Sequence, residues 1–189
     1  MTNPSIKGSA VLDTVRVVKA RAGEDGFRRI LDALDPEGRS LFQGAILSTE
    51  WYPLDAFAGF LGANIRETAG GDERVLVERS AAVVENQLRG IYRLFVRLGS
   101  PDFVLRRVSI IHSNFFKGVD IQRMSYAPGR AVIRYSGFRP QHRLLDYVLI
   151  GFYRKALEIS GAGDVQVSMT TSIGESRGYA ELQAIWTAR

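Results

Sequence analysis

His112 and His142 are the only histidines in the 189 residues, and cysteine is absent. Those two facts close most routes to chemistry. A metal centre needs three or four converging His, Cys, Asp or Glu ligands, and neither histidine has the i,i+4 helical partner of a metalloprotease site. A serine or cysteine triad needs a histidine base beside its nucleophile. His142 stands at the start of a helix, where it is expected to be exposed, and no nucleophile elbow accompanies it. Gly70-Gly71 and Gly161-Ala162-Gly163 lack the strand-before, helix-after setting of a dinucleotide loop. The chain is therefore read as non-enzymatic, with no catalytic residue and no metal site. His112 has the more suggestive setting: one position off an apolar stripe, with Phe116 four residues on. It is expected to be half-buried and hydrogen-bonded.

The elements that position these residues follow from periodicity. Residues 1–8 read as a tail broken by Pro4 and Gly8. Residues 9–189 read as one domain, helical over 9–117 and strand–strand–helix–strand–strand over 118–187. Val11, Val15, Val18 and Ala22 form a first helical stripe ended by Gly23, and Phe27, Ile30, Leu31 and Leu34 form a second. Asp35-Pro36-Glu37-Gly38 is expected to break the chain ahead of a short helix from about Ser40 to Ser48. Pro53 opens a helix with Leu54, Phe57, Leu61 and Ile65 inward, over a packed Trp51-Tyr52. After Gly70-Gly71 a long helix carries Val77, Ala81, Val84, Leu88, Ile91, Phe95 and Leu98, a seam that wants a helix beside it. Ser100-Pro101-Asp102 caps the next helix, with Val104, Val108, Ile111 and Phe115 as its buried stripe.

Beyond Gly118 the period changes to that of strands. Val119–Tyr126 and Arg130–Phe138 flank Ala127-Pro128-Gly129, a type II turn signature. A helix with Leu145, Leu149, Phe152, Ala156 and Ile159 on one face follows, and then two strands. The last places Ala180, Leu182, Ala184 and Trp186 inward. The fold class is α/β in the α+β sense: N-terminal helices packed on a four-stranded antiparallel sheet.

The net charge is +5, with 25 Lys and Arg residues. They are spread along the helices among acids and not clustered with aromatics, which argues against nucleic acid. No apolar run is long enough to span a bilayer. Together with the missing cysteines, this places the chain in the cytoplasm.

Tyr135-Ser136-Gly137-Phe138-Arg139 resembles the Tyr-x-Ser-x-Arg signature of the haem-nitric-oxide/oxygen-binding domains. In that family the three residues hold the haem propionates and a helix before the hairpin supplies the ligating histidine. The resemblance implies His112 as axial ligand and Tyr135 and Arg139 at the propionates; Gly137 stands where the family has serine. The stretch from Gly118 to Trp186 is also similar to the four-vinyl-reductase ligand-binding domains, without their cysteines, and to the small subunits of the TRAPP tethering complex. The N-terminal half looks like uncharacterised bacterial members of that group.

The leading expectation is a regulatory or adaptor domain that binds a small apolar ligand or a protein partner. Its pocket is expected between the sheet and the helices, around His112, Phe115 and Phe152, with Tyr135 and Arg139 as further ligand contacts. The alternatives are a haem-based gas sensor and a homodimeric interaction protein whose interface includes Leu88, Ile91 and Phe95. The cofactor is left open, with haem as the candidate.

Overall fold

A computed structural model describes residues 3–87 and 100–188. The chain enters not as a tail but as a strand, β1 (Ser5–Lys7), whose Ile6 is buried. This strand lies between β2 (Trp51–Pro53) and β3 (Phe116–Lys117), both antiparallel to it. Lys7 and Lys117 hold their ammonium groups 4.7 and 4.4 Å from the Trp51 ring centroid, clamping the indole as a structural post.

Helix α1 (Gly8–Asp32) bends at Gly23, whose φ of 67° and ψ of 178° interrupt the helical run between the two predicted stripes. Helix α2 (Pro36–Gln43) starts earlier than expected. Asp35 accepts from the Gly38 backbone N–H and Pro36 sits in the first turn, so the segment predicted as a break is an N-cap. Helix α3 (Leu54–Ala69) buries Leu54, Phe57, Leu61 and Ile65, as its period requires. Helix α4 is described from Val75 to Gln87. The proposed interface residues Leu88, Ile91 and Phe95 lie outside the described residues.

The helix expected from Pro101 to Phe115 is two helices. Ser100 caps α5 (Pro101–Arg106), and non-helical Arg107 separates it from α6 (Val108–Ser113). That break changes which face turns inward: Val108 and His112 are buried, while Ile111 and Phe115 are only half-buried.

Strands β4 (Asp120–Ala127), β5 (Arg130–Ser136), β6 (Ala162–Thr171) and β7 (Tyr179–Ala188) form an antiparallel sheet in the order β4-β5-β7-β6. Ala131, Ile133 and Tyr135 of β5 and Ala180, Leu182, Ala184 and Trp186 of β7 face the core. The opposite face carries the Arg134–Glu181 ion pair. Helix α7 (Leu145–Ile159) joins the two hairpins and packs between β6 and α4. The architecture is therefore the expected helix-on-sheet α+β fold. A three-stranded sheet was added at the N-terminal end.

The α4–α7 contact is close enough to dictate residue type. A Cβ on Gly151 would stand 2.2 Å from the Val77 carbonyl oxygen, and next to it Ser80 Oγ donates to Val148 O at 2.7 Å.

Candidate functional site

His112 is 2% exposed, more deeply buried than the sequence suggested. Aromatic rings surround it. Phe116 and Tyr153 stack on it at 5.9 and 5.4 Å, and Phe152 and Tyr135 meet it edge-on at 5.0 and 5.6 Å. Nε2 lies 3.5 Å from the Tyr135 hydroxyl, at the outer limit of a hydrogen bond, and Nδ1 has no partner. Burial lowers the pKa of this imidazole from 6.5 to about 3, so it is neutral at physiological pH.

The Tyr135 hydroxyl is committed elsewhere. It lies 2.5 Å from the Tyr153 hydroxyl, and both rings are fully buried. Burial raises the pKa of both phenols, so the pair stays protonated. Tyr153 was missed at the sequence level because its neighbour Phe152 had been assigned to the buried face of α7. Phe152 is in fact the half-buried one of the two.

His112, Phe115 and Phe152 line one chamber of about 70 Å³. Its lining comes from α1, α3, α4, α6 and α7, with Ile6 of β1 and Phe116 of β3. The four-stranded sheet does not line it, so the pocket lies between helices and not, as expected, against the sheet. Tyr135 and Arg139 are not part of it. They line a separate hollow of about 190 Å³ with Phe138 and Tyr179. A wider groove of about 400 Å³ between α1 and α2 is edged by Lys19, Glu24, Arg28 and Gln43 and holds no buried polar group. The chamber beside His112 has the most apolar lining of the three, and it is the candidate site.

Arg139 reaches towards α3 and the N-terminus instead. Its guanidinium pairs with Asp55 at 3.3 Å and donates to Asn3 Oδ1 at 2.6 Å. The same carboxylate holds His142, whose side chain has no exposed surface, contrary to the expected position in solvent. The Arg139 backbone N–H donates to His142 Nδ1 at 3.0 Å, which leaves Nε2–H to donate to Asp55 at 2.8 Å. Burial lowers the His142 pKa against the raising effect of Asp55. Burial alone would raise the Asp55 carboxyl, but hydrogen bonds from His142 and Gln141 outweigh it and hold the pKa below its usual value. This cluster ties the segment after β5 to α3.

Gly137, at the serine position of the signature, has a φ of 103°, and a Cβ there would lie 2.3 Å from the Gly118 carbonyl oxygen. Backbone geometry would strain a serine there. Among the described residues no group of three His, Cys, Asp or Glu is placed to hold a metal ion. No helix among them is long and apolar enough to cross a membrane.

No family profile matches the chain and no curated protein does. Solved structures do. An unliganded Fe(II) H-NOX protein from K. algicida superposes with a TM-score of 0.73 at 13% identity, covering 97% of each chain. The Fe(II)NO form of an H-NOX protein from S. oneidensis gives 0.74 at 13% identity, covering 96% of this chain and 99% of the other. An oxygen-binding H-NOX domain related to soluble guanylate cyclases, in its oxygen complex, gives 0.64 at 12% identity over 95% and 94%. The chain thus has the fold of the haem-nitric-oxide/oxygen-binding domains over nearly its whole length.

Proposed function

We propose that this chain is a non-enzymatic sensor domain that takes a small apolar ligand into the chamber beside His112, without haem. The carrying observation is the chamber itself. It is an apolar space among five helices, edged by a buried neutral imidazole with an unpartnered nitrogen. The shared fold supports a ligand-sensing role, since its neighbours are described with iron, nitric oxide or oxygen bound.

The residues present do not fit haem held in the way the sequence resemblance implies. The imidazole is suitable, but the propionate end is not. Gly137 offers no hydroxyl, Tyr135 is hydrogen-bonded to Tyr153, and Arg139, which lines a separate hollow, is paired with Asp55. The chamber is also small. Sites for larger organic ligands run to roughly 300–1,000 Å³, against about 70 Å³ here.

A haem-based gas sensor with His112 as axial ligand is the second reading. It is favoured by the unpartnered Nδ1 and by the fold neighbours. One experiment separates the two. Haem is added to the purified protein, which is reduced and passed over a desalting column, and the absorption spectrum is recorded. The proposal expects no Soret band in proportion to protein. A stoichiometric band that His112→Ala abolishes would replace it with the haem reading.

A further inference from the structure

The chamber has one polar corner, formed where α3 faces α4. Asn64 is 1% exposed and lines the chamber with Arg79. Arg79 Nη1 donates to Asn64 Oδ1 at 2.8 Å, while the Thr68 hydroxyl donates its one proton to the Asn64 backbone oxygen at 2.6 Å. The Arg79 donor fixes the orientation of the amide and leaves Nδ2, a buried donor, with no acceptor. Among the described residues no carboxylate pairs with Arg79 either, and residues 88–99 contain no Asp or Glu. Burial and then the like charge of Arg21 lower the pKa of this guanidinium from its usual value, as an uncompensated cation would show. A half-buried cation and a buried N–H, on two residues that line one apolar chamber, are unfavourable unless an acceptor arrives with the ligand.

We propose that Arg79 and Asn64 form the head-group site for a short-chain monocarboxylate whose alkyl tail fills the chamber towards His112. The inference rests on the reading of the chamber as the ligand site and adds the chemical class of the ligand. The guanidinium offers a forked pair of donors to a carboxylate, and Asn64 Nδ2 supplies a third. Val17, Val83, Val84 and Phe152 line the tail region. An apolar cavity of roughly 150 Å³ accommodates benzene. A chamber of about 70 Å³ by the same ratio suits a tail of about three carbons.

The test is calorimetric titration of the full chain with sodium butanoate and, separately, with butan-1-ol, in buffer of low ionic strength. Butanoate is expected to bind at least tenfold more tightly than the alcohol. In Arg79→Gln this preference should fall below about twofold with the affinity for the alcohol retained, and Arg79→Lys should keep part of it. Equal binding of acid and alcohol by the unmodified protein overturns the carboxylate inference and leaves the apolar site standing, and so does unchanged butanoate binding by Arg79→Gln. Failure of both compounds to bind the unmodified protein overturns the inference and the reading of the chamber together. The comparison of acid with alcohol needs no variant, so it decides the matter even if a substitution at Arg79 prevents folding.

Discussion

Replacing His112 with leucine should change how stability depends on pH far more than it changes stability at neutrality. In the unfolded chain an imidazole titrates near 6.5, whereas in the fold burial lowers this one to about 3. The native state therefore holds the neutral form. Its stability is intact above pH 6.5 and is lost progressively as pH falls towards 3, because the unfolded state takes up the proton first. Each pH unit in that window costs about 1.36 kcal/mol, so lowering the pH from 7 to 5 should remove about 2 kcal/mol through this one group. At pH 7 the variant should be of similar stability or slightly more stable, since the imidazole has an unpartnered buried Nδ1 and such a group costs about 1–3 kcal/mol. The assay is urea unfolding of both proteins at pH 7, 6 and 5. Only the difference between the two curves matters, because the other titrating groups, His142 among them, are common to both. The difference should move in favour of His112→Leu by about 2 kcal/mol from pH 7 to pH 5. Parallel curves, within about 0.5 kcal/mol, would show that the native imidazole is solvated or partnered and would refute the reasoning.

Tyr153→Phe strands the Tyr135 hydroxyl with only its long contact to His112, and should cost about 1–3 kcal/mol. The double variant Tyr135→Phe/Tyr153→Phe should recover most of that loss, which a double-mutant cycle by chemical denaturation would measure. Gly137→Ser rebuilds the signature in sequence but not in structure. Its positive φ alone costs about 1–3 kcal/mol, and the contact with Gly118 O adds to that, so a lower thermal midpoint with no gain of haem absorbance is expected. Gly151→Val forces α4 and α7 apart at the Val77 carbonyl. It should cost at least the 1–3 kcal/mol typical of overpacking, read by urea unfolding.

The C-terminal unit was legible because its signals are long and periodic. The alternation from Ala180 to Trp186 and the stripe along α7 each repeat several times, and Pro128-Gly129 marks the turn between β4 and β5. The three-stranded sheet was not legible, since strands of three, three and two residues never complete an alternation. The site was legible only in part. His112, Phe115 and Phe152 could be placed near one another, but the break at Arg107, which turns His112 inward, leaves the apolar spacing of 104–115 outwardly helical. His142 looked exposed because its partner Asp55 lies 87 residues away, beyond any local pattern. Arg79 was grouped with the solvated helix arginines. The available signal was its place between Val75 and Val83 on one face of α4, with the polar Asn64 likewise set among the buried positions of α3. The resemblance around Tyr135 pointed to the right fold. It says nothing of the ion pair between Arg139 and Asp55, because a signature records residue types and not partners.

The claim that a small ligand enters the chamber beside His112 is tested most directly by methyl-resolved NMR of the protein in xenon-saturated buffer against argon-saturated buffer, since apolar cavities take up xenon. The account predicts that the methyl signals of Val17, Val83, Val84 and Leu149 shift in a saturable way, while those of Leu12 and Leu31 in the groove between α1 and α2 do not. Shifts confined to that groove, or no saturable shift at the chamber methyls, would contradict it.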